Sequence, residues 1–437
     1  MLFGGVMFIS VLRFMLRGWV TELYVAPKFY FSYFGFEWVK PFGEVGMYVV
    51  FGCMALSCLG IMLGAFYRFS SLGFFLTWTY VELLDVTNYL NHYYFVSIIA
   101  FLLIFVPAAK DFSLDAKWWP NTRAKMVPRW SIGVFRLQLS ILYFFAGLAK
   151  VQSDWLLRAM PLKIWLPAKA NLPLIGGLLK LKWVAYIFAW SGCLYDLTIP
   201  FFLMMRKTRP FAFAAVVAFH LLTWWLFPIG MFPFIMIAST LIFFPADFHL
   251  RLQKILKRIL RLPTEVIHNS AVWSPKPFFG KALMLLFGLH FMIQVFMPLR
   301  SHLYDGELFW HEHGFRFSWR VMLMEKAGYA IFKVTDPRTG KSSEIVNRDY
   351  LTPNQEKMMA TQPDMLLQFA HFIEQEYIAK GIPNPEVYLS AFVTLNGSGS
   401  RPFTDPKVNL CAEKEGFRKK TWLLPFESPS SDLSLRR

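Results

Sequence analysis

Charge is what this chain has least of. Only 17% of its 437 residues are charged and 56% are hydrophobic, whereas charged residues make up about a quarter of ordinary soluble domains. A soluble globular protein is excluded. Cysteine is also scarce: Cys53, Cys58 and Cys193 lie in apolar runs and Cys411 stands alone near the end, with no CxxC pair. Neither a disulfide framework nor a metal cluster can be read from that spacing. No internal repeat stands out, which argues against a transporter built from inverted repeats. The first 20 residues lack a small-residue cleavage site and carry Arg13 and Arg17 inside the apolar run, so they read as a retained first helix rather than a cleaved signal peptide. Acidic residues number 28 against 45 basic ones, a formal charge of +17. The basic residues, Lys254, Lys257, Arg258 and Arg261 among them, fall in short loops between apolar runs, which points to a membrane surface and not to nucleic acid.

Aromatic residues are plentiful at 18%, with 47 Phe and 16 Trp, as expected of helices that pack large rings in a bilayer and anchor others at its interfaces. Apolar stretches long enough to cross about 30 Å of hydrocarbon at 1.5 Å per residue recur at 46–66, 94–109, 131–149, 184–204, 210–228 and 280–298. Weaker candidates lie at 4–20, 70–86 and 229–246. The expected fold is therefore a polytopic α-helical membrane protein with about eight or nine transmembrane helices. Arg251 to Arg261 (RLQKILKRILR) reads as a basic amphipathic helix on the cytoplasmic surface. Alternating from it places the basic loops at 110–129 and 206–209 inside and everything after about residue 299 outside; the basic loop 150–182 falls outside, against the charge rule.

After Pro298 charged residues become regular. Phe315–Met324 and Tyr329–Val334 alternate like a hairpin, a helix is expected near Pro353–Ala379 and a strand at Val387–Leu395. The chain thus divides into a helical membrane domain, 1–299, a small outward-facing α+β domain, 300–427, and a Ser-rich tail, 428–437, expected to be disordered.

An ionisable side chain in a spanning segment costs several kcal/mol and needs a reason. Asn91 and His92 (YLNHYYF), Lys150 and His220 (AFHLLTWW) fall at similar depth on the outer side. One account of Lys150 is a snorkelling helix-end lysine, of Asn91 and His92 an interface pair holding water, and of His220 a core histidine on a backbone carbonyl. The other is a site, in which desolvation lowers the lysine pKa and makes it a general base, with imidazole and carboxamide groups orienting a small acidic substrate.

These residues resemble the vitamin K-dependent gamma-glutamyl carboxylase family, whose membrane part belongs to the horizontally transferred transmembrane (HTTM) superfamily. The likeness runs through Asn91-His92, YFFAGLAK ending at Lys150, Asp154-Trp155, Asp196 in LYDLTIPFF, Phe219-His220 and IGMF at Ile229 to Phe232. It continues in FSWRVML (Phe317 to Leu323), RTG (Arg338 to Gly340), DMLLQFA (Asp364 to Ala370) and RPFTDPKV (Arg401 to Val408). It implies an enzyme coupling oxidation of vitamin K hydroquinone by O2, to the epoxide, with carboxylation of peptide glutamate by CO2. Lys150 would deprotonate the quinol, and the stronger base made by its oxidation would remove a γ-proton in a water-excluding site. His92 with Asn91 would assist and bind the quinol, His220 would line the same pocket, and Trp319, Arg320 and Arg338 would lie in the part that binds glutamate substrate.

Two departures stand beside this likeness. Met324 takes the place of a histidine that animal members carry shortly after the FSW motif, and the chain stops near residue 437, short of the region through which they hold propeptide-bearing substrates. Other readings are therefore a quinol epoxidase without carboxylation and a non-catalytic module that binds quinone or membrane lipid. His311-Glu312-His313 reads as a solvated polar turn rather than a metal site, and Asn396-Gly397-Ser398 is an outward glycosylation sequon.

Overall fold

Backbone groups in hydrocarbon are satisfied within helices, and the apolar runs fold accordingly. The computed structural model describes residues 1–259, 261 and 272–427. In order along the chain, its main helices are α1 (Leu2–Leu16), α2 (Gly43–Leu63), α3 (Tyr67–Leu83), α4 (Asn91–Phe105), α5 (Trp130–Leu148), α6 (Lys182–Met204), α7 (Arg209–Leu226), α8 (Phe232–Thr240), α9 (Ala246–Ile259) and α10 (Pro277–Leu299). The tail expected to be disordered lies outside the described residues, as does Leu260 of the amphipathic segment.

Five helices, α2, α5, α6, α7 and α10, are long and apolar enough to cross a membrane, or six if Phe232–Phe243 and Ala246–Ile259, bent by 120°, count as one span. That is fewer than the eight or nine expected from hydropathy. The shortfall lies in α1 and α4, apolar but only 15 residues each, in α3 with 17, and in the run 229–246, where α8 has nine. Apolar residues continue past helix ends into extended chain, as at Val106 and Phe227, and a hydropathy window does not separate these from helix.

Each of α1 to α8 packs on the next, and α8 returns to α1, closing a ring; α10 packs on α5. One end of the ring gathers the turn at Phe66 and Tyr67, whose amides bond Asp115 at 2.6 and 2.8 Å, and α9, whose Lys257 ammonium lies 5.3 Å from the Phe112 ring. The helix α9 has no buried residue, as an amphipathic surface helix should not in the absence of lipid. The other end gathers the segments at 27–33, 85–91 and 150–182 with the C-terminal domain. Phe31, Val86, Trp155, Leu162 and Leu179 share one core with Phe332, Phe369 and Leu389. The 150–182 loop is thus a folded cap on the domain, which explains why its basic residues do not follow a rule made for free loops.

The domain holds four antiparallel strands in the order β2-β1-β3-β4: β1 (Lys326–Thr335), β2 (Ser342–Glu344), β3 (Glu386–Leu395) and β4 (Arg401–Pro402). Val387, Leu389, Ala391, Val393 and Leu395 of β3 alternate inward, so that one sheet face is apolar. The expected helix is two, α11 (Pro353–Met359) and α12 (Pro363–Ala379), restarted by Pro363. The expected hairpin is corrected. The partner of β1 across the turn is Ser342–Glu344, while 315–324 is a series of turns with positive φ at Phe317, Trp319 and Met322, conformations a strand does not use.

Candidate active site

Gly147 lies three residues before Lys150 on α5. A Cβ there would sit 2.8 Å from the backbone nitrogen of Leu197 on α6, so only glycine lets the two helix backbones come this close. Leu197 follows Asp196. The close approach therefore sets Lys150 Nζ 2.6 Å from Asp196 Oδ2, with a second bond to Ala146 O at 3.1 Å. Both side chains are buried, 8% and 7% exposed, and the ammonium lies 5.7 Å from the Trp155 ring. The snorkelling account of Lys150 is overturned: its nitrogen turns inward to a carboxylate.

The pair faces a cavity of about 520 Å³, lined from all the ring helices but α2 and from domain residues Phe315 and Arg320–Met322. The structure brings Asn91, His92, Lys150, His220 and Arg320 to its wall. His220 Nε2 and Tyr143 Oη are 3.0 Å apart, and His220 Nδ1 is buried with no partner. If the tyrosine donates, Nδ1 carries the ring proton. Its ring stands edge-on to Phe232 at 5.8 Å, and His92 lies 5.3 Å from the same ring. His220 is not bonded to a backbone carbonyl, and the interface pair is not a pair: Asn91 accepts from Tyr89 Oη at 3.1 Å and donates to Arg320 O at 3.1 Å, fastening α4 to the domain.

Two expected substrate contacts lie elsewhere. Trp319 is 1% exposed and stacks on Tyr94 of α4 at 5.0 Å; it belongs to the core of the helical ring. Arg338 is exposed in the β1–β2 turn, beside Asp336 at 3.3 Å, and does not line the cavity. Arg320 donates to Ser301 Oγ at 2.9 Å, has its Nε buried without a partner, and is lowered to about 10 by burial and by Arg300, so it stays charged at neutral pH.

The turn at His311-Glu312-His313 is packed, not solvated. Glu312 pairs with Lys326 at 2.7 Å, and the two His Nδ1 atoms are 2.9 Å apart. Among the described residues no group of three His, Cys, Asp or Glu could hold a metal ion. The sequon asparagine is also occupied: Asn396 is 8% exposed, accepts from Glu325 N and donates to Asp154 Oδ2, each at 2.9 Å. Both faces of its amide are used.

Two residues of the site went without a role in the sequence. Asp196 is a carboxylate inside an apolar run, the very signal that singled out its neighbours. Tyr143, a tyrosine in a spanning helix, carries no such signal.

Comparison with known families gives two matches that meet these two parts of the fold. The HTTM domain matches residues 1–248, more than half of the 437. The lumenal domain of vitamin K-dependent gamma-carboxylase matches residues 279–429. No solved structure matches the chain.

Proposed function

The chain belongs to the HTTM family and, within it, to the vitamin K-dependent gamma-carboxylases; on that premise we propose that it couples oxidation of vitamin K hydroquinone by O2 to carboxylation of glutamate in a peptide by CO2. The observation that carries this is the buried Lys150–Asp196 pair on a cavity of about 520 Å³.

The cavity suits a flat naphthoquinol. Trp78, Tyr93, Phe188, Phe219 and Phe232 are on its wall, and Gly192, one turn before Asp196, is buried with nothing within 4 Å of a would-be Cβ. When bound, the quinol supplies through its oxidation a base stronger than any side chain. The protein supplies the rest. Lys150 takes the hydroxyl proton as a neutral amine, and Asp196 receives the proton Lys150 holds at rest. That transfer converts two buried charges into two neutral groups, so burial does not oppose it. Tyr143 orients the His220 ring on the cavity wall, and His92 flanks it. The helix ring and the 315–322 segment exclude water. Arg320 meets the acceptor carboxylate from the domain side.

On the same premise all nine apolar runs reach across the bilayer, the short helices being matched by local thinning and by neighbouring helices. The domain then stands on the outer, periplasmic or lumenal, side, with α9 on the cytoplasmic leaflet. Purified protein given a naphthohydroquinone, labelled bicarbonate and a Glu peptide should yield both epoxide and incorporated label. A protein that consumes no quinol would overturn the proposal. Epoxide without label would instead favour the epoxidase without carboxylation, a reading helped by the placement of Trp319 and Arg338 away from the cavity.

A further inference from the structure

The cavity carries a cation that the mechanism above leaves unused. Met7, Ser10 and Arg13 recur every three residues along α1, which puts them on one helix face, and all three line the cavity. An arginine in a spanning helix ordinarily reaches the headgroups or a counter-charge. Arg17, a turn further on, is exposed, its guanidinium 5.2 Å from the Trp19 ring. Arg13 differs. It is half-buried, its guanidinium 5.4 Å from the same ring, and its Nε is shielded from solvent with no acceptor in reach. The carboxylate of the cavity wall, Asp196, is taken by Lys150, and no other carboxylate among the described residues pairs with Arg13. Arg320, on the domain side, likewise has an unpartnered Nε. The cavity wall therefore carries more positive than negative charge, and a guanidinium on it that has no carboxylate partner favours a planar oxyanion that can accept two parallel bonds.

We propose that Arg13 docks the side-chain carboxylate of the acceptor glutamate inside the cavity. The inference rests on the carboxylase reading above, which leaves one uncompensated cation on α1 and one on the domain for an acidic residue inserted between them. An outer-leaflet phosphate, the other oxyanion at that level of the protein, fits less well. Arg13 lines the cavity, while Arg17 does not and is exposed.

The test is thermal unfolding of the full chain in an uncharged detergent, titrated with a blocked glutamyl peptide and with its glutaminyl counterpart. The glutamyl peptide should raise the melting temperature of the parent and the glutaminyl peptide should not. Arg13→Gln should need about tenfold or more peptide for the same shift, the usual worth of a charge-assisted contact. Arg13→Lys, which keeps the charge and loses the fork, should fall between, and it carries the test if Arg13→Gln does not fold. Arg17→Gln should match the parent. A parent-like response in both Arg13 variants, equal responses to the two peptides, or no response at all would overturn the assignment. So would an Arg13→Gln variant that loses only a shift caused by added phosphatidylglycerol. Epoxide formed without peptide is measured on the same preparations. Its absence counts against the quinol chemistry, and its presence with a failed peptide titration counts against Arg13 alone.

Discussion

Two buried lysine pairs in this protein are nearly identical in geometry and have different surroundings. In the helical ring, Lys150 meets Asp196 at 2.6 Å, donates to Ala146 O at 3.1 Å and lies 5.7 Å from the Trp155 ring. In the C-terminal domain, Lys326 meets Glu312 at 2.7 Å, donates to Trp310 O at 2.7 Å and lies 5.0 Å from the Phe403 ring. Side-chain exposures are below 10% in both. Burial pushes the Lys326 ammonium below its usual range, with Glu312 opposing. What separates the pairs is the space beside them: Lys150 borders the large cavity and Lys326 does not. Burial and pairing hold both lysines in place, and of the two Lys150 has room beside it for a ligand.

The sharpest break in the comparison is removal of each lysine. Lys150→Met should lower epoxide formation by about two to four decades, the usual contribution of a general base, measured per folded molecule. Lys326→Met should leave the rate per folded molecule near that of the parent and instead lower stability by about 3–5 kcal/mol, because Glu312 stays buried without its partner. Replacing Glu312 by Gln in the same chain should recover part of that loss. If Lys326→Met lost epoxidation at full stability, the contrast would collapse.

A smaller effect is expected at the glycine that brings α5 and α6 together. Gly147→Ala puts a methyl 2.8 Å from Leu197 N, an overpacking worth about 1–3 kcal/mol, and should slow turnover more than it lowers stability because it spreads Lys150 from Asp196. A drop in thermal stability with unchanged epoxidation would show that the 2.6 Å contact is not needed. The smallest effect concerns the His pair beside Glu312. Burial first, then nearby lysines, lower His311 to about 4 and His313 to about 3 from an ordinary 6.5. The unfolded chain therefore binds protons that the folded chain refuses, so stability should fall as pH drops from about 6.5 toward about 4. His311→Gln with His313→Gln should flatten that slope; an unchanged slope would assign it to other groups.

Polar residues in apolar runs were readable from the sequence because each is expensive there and because the alternation of helices placed them at one level. Asn91, His92, Lys150 and His220 do share a cavity wall. Their partners were not readable. The Lys150–Asp196 contact spans 46 positions and depends on Gly147, an approach that no periodicity records. Trp319 reads as a ligand contact in a short motif, but its left-handed backbone turns the ring onto Tyr94. The residue types at 315–324 alternate as in a strand, but the backbone there runs through turns with positive φ at Phe317, Trp319 and Met322. Hydropathy marks nine apolar runs where five helices, or six with the bent pair, are long enough to span by themselves, because it sums helix and apolar loop alike, as at 229–246.

The most direct test of the Lys150 assignment is chemical rescue. Lys150→Ala, checked for folding because it leaves Asp196 without its cation, should regain part of its epoxide formation when small primary amines are added, more with amines of higher pKa, and the same amines should do nothing for Lys326→Ala. Near-parental epoxidation by Lys150→Ala without any amine, or rescue that follows amine size and ignores amine basicity, would contradict the account and leave Lys150 a packing residue like Lys326.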